Sequence, residues 1–331
     1  METLFLADDE VKKLLSMPEV MEAVESAFTE KGLGRVQMPA KTYLYYPKYN
    51  GDLRSMPSYL EELDVSAVKI VNVHPDNPTK FQIPTVMAVI VLIDPVRGVP
   101  IAVMGGTTVT DMRTGAAGGI AAKYLARKDS KIIGLVGAGV QARTQLMALL
   151  QAYGKLEEVR VWSRSVDRRL SFATETQTEY RGLCHVVPVE TVEEAVEGAD
   201  IIVTTTPSRG PIIMNEMVSP GVHFNCIGAD AKGKEELDPA ILKRAKIIVD
   251  DWEQAAHSGE INVPVSKGTI TRQNIWAEIG EVTAGLKPGR QKREEITVFT
   301  STGLAVQDAV TAKIAYDKAL KMGIGRFSKI V

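Results

Sequence analysis

Two glycines and an alanine stand at the spacing that a phosphate-binding turn requires, in the segment Gly137-Ala138-Gly139-Val140-Gln141-Ala142. Gly137 would permit the tight turn, Gly139 would let the backbone approach a pyrophosphate, and Ala142 would allow close helix–strand packing. The segment follows a predicted strand and opens a predicted helix, whose free N–H groups would face the phosphates. The sequence therefore predicts a dinucleotide site that includes residues 137–141. The alternative is an ordinary strand–helix turn whose glycines are incidental.

The end of the next predicted strand indicates which kind of dinucleotide is bound. The chain has Val161-Trp162-Ser163-Arg164-Ser165 there, with Arg168 one helical turn on. NAD enzymes usually place an Asp or Glu at this point to accept from the ribose 2′-OH. Hydroxyls and guanidinium groups instead suit a 2′-phosphate through charge-assisted hydrogen bonds. We expect NADP(H) to be favoured, with NAD(H) possible. The alternative for Arg164 is a solvated surface arginine.

Several charged residues in otherwise apolar or tightly packed segments predict a substrate site. Lys69 lies mid-strand in Ala67-Val68-Lys69-Ile70-Val71, where it must reach a cavity, a partner or solvent. Lys41 and Arg54 lie in neighbouring segments. Arg113 and Thr114 open a predicted glycine-rich helix, whose N-terminus would add positive potential. Asp230 follows a predicted strand, at the edge where open α/β sheets bind ligands.

Together these side chains could handle an α-amino or α-imino acid. Arginine and lysine would hold its carboxylate, and Asp230 would hold its amine. Lys69 could move protons once burial and cationic neighbours lower its pKa. Taken singly, each charge could equally be exposed on an edge strand or a loop.

The composition and the remaining reactive residues argue against several functional classes. A formal net charge of −2 gives no reason to expect a nucleic-acid or membrane partner. The four histidines lack the spacing of a metal site or a Ser–His–Asp triad, and Cys184 and Cys226 are expected as buried thiols, so no metal is expected. The N-terminus lacks a leader pattern, and the apolar stretch 83–93 is far shorter than the ~20 residues of a membrane span. We therefore expect a cytoplasmic protein.

The predicted elements that position these residues change along the chain. A helix is predicted over 9–31, an antiparallel sheet with turns over 36–93, and a helix over 113–127. From residue 131 strands and helices alternate, which predicts a doubly wound parallel sheet. The predicted strands are 132–136, 159–162, 184–187, 201–205, 223–227 and 247–249, and the predicted helices are 140–153, 166–180, 191–198, 238–245 and a last one after Gly303 to about Met322.

The chain resembles the ornithine cyclodeaminase/mu-crystallin family over nearly its whole length. The resemblance rests on an ordered series of motifs: Arg54-Ser-Met-Pro, Lys69-Ile-Val-Asn-Val-His-Pro, Asp111-Met-Arg113-Thr114-Gly-Ala-Ala, Gly137-Ala-Gly139-Val-Gln-Ala, Ile227-Gly-Ala-Asp230 with Glu236-Leu-Asp following, Val249-Asp-Asp, Gly259-Glu-Ile-Asn, Glu278-Ile-Gly-Glu-Val and Ser301-Thr-Gly303-Leu-Ala-Val-Gln-Asp308. Within the family the chain is most similar to the alanine dehydrogenases of archaeal type, at segments such as Met38-Pro-Ala-Lys41 and Thr204-Thr-Thr-Pro-Ser-Arg209.

The resemblance implies an architecture and roles for residues. A Rossmann domain of residues 115–303 is inserted in a mixed α+β domain of residues 1–114 plus 304–331, which binds substrate and forms a homodimer. Lys69 is implied as the proton donor and acceptor, and Lys41, Arg54 and Arg113 as contacts of the substrate carboxylate or carbonyl oxygen. The full set of expected cofactor contacts is Arg113, Thr114, Gly137, Ala138, Gly139, Val140, Gln141, Ser163, Arg164, Ser165, Arg168, Thr205, Thr206, Pro207, Gly228, Ala229, Asp230 and Ser301.

The implied activity is that of an NAD(P)-dependent oxidoreductase interconverting a small L-amino acid and its 2-oxo or imino acid, with L-alanine and pyruvate expected first. Ser163-Arg164-Ser165 looks more like the NADPH-using ketimine reductases, so reduction of a cyclic imine such as pyrroline-2-carboxylate or piperideine-2-carboxylate is the alternative. Arg54 occupies the place of a carboxylate found in true cyclodeaminases, which disfavours ornithine cyclisation, whereas Asp230 matches an acid those enzymes share. A non-catalytic mu-crystallin-like binding protein is a further alternative, which Lys69, Arg113 and Asp230 disfavour.

Overall fold

A computed structural model describes residues 2–330 of the chain. Its strands, in chain order, are β1 (Glu2–Leu6), β2 (Val36–Gln37), β3 (Thr42–Tyr46), β4 (Gly51–Leu60), β5 (Val65–Val73), β6 (Val86–Asp94), β7 (Val99–Gly105), β8 (Ile132–Val136), β9 (Glu158–Trp162), β10 (His185–Pro188), β11 (Ile201–Thr204), β12 (Arg209–Ile213), β13 (His223–Cys226), β14 (Glu235–Leu237), β15 (Lys246–Val249), β16 (Ile275–Glu278), β17 (Thr297–Thr300) and β18 (Arg326–Lys329). Its α-helices are α1 (Asp8–Leu14), α2 (Met17–Gly32), α3 (Asn77–Lys80), α4 (Thr107–Leu125), α5 (Val140–Tyr153), α6 (Val166–Glu179), α7 (Val192–Val196), α8 (Pro239–Arg244), α9 (Trp252–Ser258), α10 (Asn262–Ser266), α11 (Ile279–Thr283) and α12 (Ala305–Met322).

The chain divides into two compact units, each with its own sheet. The first unit comprises the residues up to Arg113 together with those from Leu304 onward, and the second unit comprises Thr114–Gly303. The division falls inside the continuous helix α4.

The first unit is built on a mixed sheet in the strand order β18-β1-β7-β6-β5-β4-β2, with β3 also paired to β4. Strands β2 to β6 pair antiparallel, as predicted for residues 36–93, and β1 joins β7 in parallel. Along β5 alternate side chains are buried, namely Val65, Ala67, Lys69 and Val71. Helix α12 packs against α2 and against β4 and β5, so it covers the face of the sheet that carries Lys69.

The single helix predicted over 9–31 is wrong, because the chain forms α1 and α2 with a break between them. Leu15 and Ser16 have extended backbone conformations at this break. Pro18 lies in the first turn of α2, where its missing N–H costs nothing, but it could not lie inside a continuous helix. The periodic apolar residues continue through the break and so concealed it.

The second unit confirms the predicted doubly wound sheet. Its parallel strands follow the order β10-β9-β8-β11-β13-β17-β15-β16, so the order reverses between β8 and β11. Helices cover both faces: Leu146 and Phe172 lie in the core on one side, and Ala195 and Leu242 in the core on the other. The prediction missed β17, which is fully buried and lies between β13 and β15.

Helix α4 corrects a second expectation. It begins at Thr107 rather than at Arg113, so Arg113 and Thr114 lie in its interior. The argument that the N-terminal potential of this helix acts on these two residues is therefore wrong, because that effect fades within the first turn. Among residues 2–330, no helix is long and apolar enough to cross a membrane.

Candidate functional site

A cavity of about 700 Å³ opens in the second unit at the carboxyl ends of β8, β9 and β11. This is the point where the strand order reverses, at which doubly wound sheets bind their ligands. The residues lining the cavity are Gly137, Ala138, Gly139, Trp162, Ser163, Arg164, Ser165, Arg168, Thr205, Thr206, Pro207, Ser208, Arg209 and Ile212. Ten of the predicted cofactor contacts thus lie around one cavity.

The turn after β8 fits a dinucleotide phosphate. Gly137 has φ of +122°, and a Cβ there would lie 2.3 Å from Thr205 Oγ1, so only glycine fits. Around Gly139 a Cβ would meet nothing within 4 Å, so the backbone faces open space at the start of α5. A helix N-terminus beside an open glycine turn offers backbone N–H donors to a pyrophosphate.

The lining of this cavity is cationic. Arg164, Arg168 and Arg209 contribute guanidinium groups, and the lining residues include no carboxylate. Ser165 caps α6 by accepting a hydrogen bond from Arg168 N at 3.4 Å, which fixes the start of that helix. Arg209, which the sequence reasoning missed, donates from Nη1 to Lys232 O at 3.4 Å. Its position after β11, at the carboxyl edge of a parallel strand, is the feature of the sequence that could have identified it as a cofactor contact.

The remaining predicted cofactor contacts lie elsewhere in the chain. Val140 and Gln141 begin α5, Gly228 to Asp230 follow β13, and Ser301 follows β17, so these six lie at a helix start or at the carboxyl ends of parallel strands, whereas Arg113 and Thr114 lie inside α4. Asp230 pairs with Lys234, whose Nζ lies 2.5 Å from Asp230 Oδ1. Thr114 is buried, and its carbonyl accepts from Gln145 Nε2 at 2.8 Å.

The first unit holds a second cluster, centred on Lys69. The Lys69 side chain is only 1% exposed, and its Nζ lies 2.7 Å from Asp308 Oδ2. Arg113 Nε donates to the other oxygen, Asp308 Oδ1, at 2.9 Å. One carboxylate from α12 therefore bridges a strand lysine and a helix arginine. Lys69 Nζ also donates to Thr110 Oγ1 at 3.4 Å.

This environment brings the pKa of Lys69 close to neutrality. Burial, the largest cause, and the charges of Arg113 and Lys41 lower the pKa of Lys69 to about 7, while Asp308 opposes them. Asp111 stands one position before the Met-Arg113 pair, and burial raises the pKa of its carboxyl to about 6. A lysine whose pKa is this close to neutrality can both accept and donate protons.

Arg54 and Lys41 are the other predicted substrate contacts in the first unit. Arg54 is buried on β4, where its Nε donates to Asp52 Oδ1 at 2.7 Å and its guanidinium lies over the Tyr43 ring. Lys41 precedes β3 and is half-buried, and it acts on Lys69 through its charge. The first unit thus gathers Lys41, Arg54, Lys69 and Arg113, whereas Asp230 belongs to the second unit.

The sequence alone assigned no role to Asp308, although this residue ends the motif that begins at Ser301. The residue lies 195 positions from Arg113, and no local pattern connects the two. An acidic residue on the apolar face of α12, between Gln307 and Ala309, was the only local signal, because a charge there requires a buried partner.

His223, Cys184 and Cys226 are all buried. His223 starts β13 with its Nδ1 2.9 Å from Thr297 Oγ1 and its Nε2 3.0 Å from Asn225 Oδ1. Burial lowers the pKa of His223 to about 3, so its imidazole is neutral at physiological pH. Cys184 and Cys226 are free and buried, as predicted.

Comparison with known proteins agrees with the fold. The sequence profile of the ornithine cyclodeaminase/mu-crystallin family matches residues 1–323. An alanine dehydrogenase of Archaeoglobus fulgidus is 51% identical over 327 residues, covering 98% of each chain. An archaeal alanine dehydrogenase dimer solved with bound NAD superposes with a TM-score of 0.95 at 50% identity, covering all of both chains. The Δ1-pyrroline-2-carboxylate reductase of Thermococcus litoralis, solved with NADH and L-proline, gives a TM-score of 0.94 at 43% identity, covering 98% of this chain and 99% of that one.

Proposed function

The chain belongs to the ornithine cyclodeaminase/mu-crystallin family and is a nicotinamide-dependent oxidoreductase of amino or imino acids, and we propose that its reaction interconverts L-alanine and pyruvate with ammonia. The observation that carries the proposal is the buried Lys69, which Asp308 holds beside Arg113 with its pKa near neutrality. The 51% identity to an alanine dehydrogenase supports the choice of alanine.

In this proposal the residues of the first unit bind the substrate carboxylate and move the proton. Arg113, Arg54 and Lys41 supply the positive charge that a small carboxylate needs. In the oxidative direction Lys69 Nζ takes a proton from the substrate amine or from attacking water, and in the reductive direction it returns that proton. The nicotinamide, when bound, supplies the hydride chemistry at the substrate α-carbon. Asp230 is assigned to the substrate amine on its charge and its position after β13.

The test is a substrate panel followed through the absorbance of the reduced cofactor. Pyruvate with ammonia should be reduced at a rate that depends on ammonia and should outpace other small 2-oxo acids. If no small 2-oxo acid with ammonia oxidises the cofactor above background, the alanine assignment fails. Lys69→Ala should abolish turnover in the same assay.

The second candidate substrate is a preformed cyclic imine such as pyrroline-2-carboxylate. It is favoured by the likeness to the Thermococcus litoralis reductase, a structure that contains L-proline. A cyclic imine needs no ammonia, so its reduction should proceed in ammonia-free buffer. A cyclic-imine rate far above the rate with pyruvate and ammonia would select this activity.

For the cofactor we propose a preference for NADP(H), with NAD(H) as the alternative. Ser163, Arg164 and Arg168 line the cavity in the place where an acid would repel a 2′-phosphate. The solved relatives were crystallised with NAD or NADH, so the expectation for this chain rests on its own side chains. Calorimetric titration of both reduced cofactors tests it, and tighter binding of NADH would refute it.

We also propose a homodimer formed through the face of the first-unit sheet that lies opposite α12. The outward side chains of β5, β6 and β7 form apolar rows, in which Ile70 lies opposite Val89, and Val91 lies between Val68 and Val103. Ile70 and Val89 are 39% and 46% exposed in the single chain, and an apolar sheet face of this kind fits a second copy of itself. Val89→Glu should give a monomer by light scattering, whereas Val96→Glu, in an exposed turn, should leave the dimer intact. A dimer that survives Val89→Glu would exclude this face.

A further inference from the structure

Two buried glutamates of the second unit lie beside the carboxyl edge of its parallel sheet, and the proposed reaction uses neither. Glu236 lies on β14 and is fully buried. Its Oε1 accepts from Thr206 N and from Thr206 Oγ1, both at 2.7 Å, and its Oε2 accepts from Gly228 N at 3.1 Å. These three hydrogen bonds come from two residues, and the hydroxyl of Thr204, at the end of β11, also acts on the Glu236 carboxyl.

The two residues come from the loops that follow neighbouring strands. Thr206 follows β11 and lines the cavity, and Gly228 follows β13, which pairs with β11 in parallel. A Cβ at Gly228 would lie 2.5 Å from Glu236 Oε2 and 2.3 Å from Thr206 O, so the glycine leaves the space that the carboxylate occupies. A single carboxylate thus ties two strand-end loops together.

We propose that Glu236 is a positioning residue for the dinucleotide, acting by holding the loop of Thr206 against the loop of Gly228. The inference rests on the proposed placement of the cofactor in this cavity. An anionic carboxylate suits the task because Thr206 N, Thr206 Oγ1 and Gly228 N all donate hydrogen bonds to it. A side-chain amide would set its NH2 group against Thr206 N or against Gly228 N, which can only donate.

Glu260 supports Glu236 in a different way. Its Oε1 accepts from Glu236 N at 2.8 Å and from Leu237 N at 2.7 Å, so it fixes the backbone of β14. Both of these bonds use one oxygen, and a neutral side-chain amide or carboxylic acid can accept them equally well. The two glutamates therefore differ in what they require: Glu236 needs its charge, and Glu260 needs only one acceptor oxygen.

The charges around the pair decide which glutamate carries a proton. Burial and the charge of Glu236 raise the pKa of Glu260 well above its ordinary value, and Glu235 adds to this. Burial raises the pKa of Glu236 to about 7, against the hydrogen bonds from Thr206, Thr204 and Gly228. The thiol of Cys226 also faces both carboxyls, and its raised pKa keeps it neutral. Glu236, which accepts three hydrogen bonds on its two oxygens, is therefore the member of the pair that ionises as the pH rises through about 7.

The test applies the same substitution to both glutamates in the full-length protein. Glu236→Gln should raise the dissociation constants of NADH and NADPH by about tenfold or more, the scale of one lost charged hydrogen bond, and should leave kcat at saturating cofactor nearly unchanged. Glu260→Gln should change both constants less than about threefold, because glutamine reproduces the protonated acid. Equal effects of the two substitutions, or a loss confined to kcat, would overturn the proposal.

A second measurement keeps the proposal testable if Glu236→Gln does not fold. In the wild-type protein the dissociation constant of NADH, which has no titrating 2′-phosphate, should rise as the pH falls through about 7. Glu260→Gln should retain this pH dependence, and a flat profile in the wild type would refute the role of Glu236. Gly139→Val tests the placement of the cofactor separately, because its side chain would fill the open space beside the glycine turn. If it does not weaken NADH binding, the placement of the cofactor fails; if it does and Glu236→Gln does not, only the role of Glu236 fails.

Discussion

Replacing Asp308 by asparagine tests the link between the buried ion cluster and proton transfer. The substitution keeps the shape and one acceptor oxygen of the side chain but removes the negative charge that lies 2.7 Å from Lys69 Nζ and 2.9 Å from Arg113 Nε. Burial, Arg113 and Lys41 then lower the pKa of Lys69 without the opposing effect of Asp308. The pKa of Lys69 should therefore fall below its wild-type value of about 7.

The size of the shift follows from the geometry. Two unit charges about 4 Å apart in an effective dielectric of about 20 interact by about 4 kcal/mol, which corresponds to about 3 pKa units. Loss of a close opposite charge shifts pKa values by about 1–3 units, and the asparagine oxygen recovers part of the loss. We expect a decrease of at least about 1 unit. The same removal takes the closest counter-charge from the buried Arg113, so the free energy of unfolding should fall by about 3–5 kcal/mol.

The assay is the pH dependence of kcat/KM for amino-acid oxidation, in which Lys69 acts in its neutral form. In the wild type kcat/KM should rise with pH through about 7. In Asp308→Asn this rising limb of the pH profile should lie at least about 1 pH unit lower. The plateau should also fall, because a weaker base accepts the proton less readily. Asp317→Asn, which breaks a partly exposed pair with Lys313 on the same helix, is the matched control and should leave this limb of the pH profile in place. A reduced plateau with an unmoved limb in Asp308→Asn would show that Asp308 only maintains the structure.

Three further predictions follow from the same structure. Arg164→Ala should raise the dissociation constant of NADPH by roughly 10- to 150-fold, the loss of one charge-assisted contact, and leave that of NADH nearly unchanged; equal effects in calorimetry would show that this arginine does not contact the 2′-phosphate. Lys69→Ala should abolish turnover with cofactor affinity retained, and residual turnover near the wild-type rate would remove Lys69 from the mechanism. His223 is neutral in the fold with a pKa of about 3, so the unfolded chain binds the extra proton, and stability should fall by about 1.4 kcal/mol per pH unit as the pH drops below about 6. His223→Gln should flatten that slope in denaturant titrations at pH 4 to 6, which lies between the pKa of about 3 in the fold and the ordinary histidine pKa of 6.5. An unchanged slope would assign the acid sensitivity to other groups.

The sequence by itself determined the features that depend on neighbours along the chain. The strand Ile132–Val136 and the helix Val140–Tyr153 have their predicted bounds, because a buried apolar run, a glycine turn and an amphipathic helix are each local patterns. The chemistry of the cofactor turn could be predicted for the same reason, since Gly137 and Gly139 act through their own backbone. The ordered family motifs identified the class of reaction because they span nearly the whole chain.

Tertiary structure decided the features that depend on distant partners. The extra strand Thr297–Thr300 enters the parallel sheet between two strands that precede it in the chain, an order that local periodicity does not record. The three hydrogen bonds of Glu236 and the pairing of Asp308 with Lys69 and Arg113 join segments up to 239 residues apart, which is the difference between positions 308 and 69. A charged residue in an apolar segment indicates that a partner exists, because burying an unpaired charge costs a large amount of free energy. The partner is decided only by packing, which brings Asp308 of α12 against Lys69 of β5 and against Arg113 of α4.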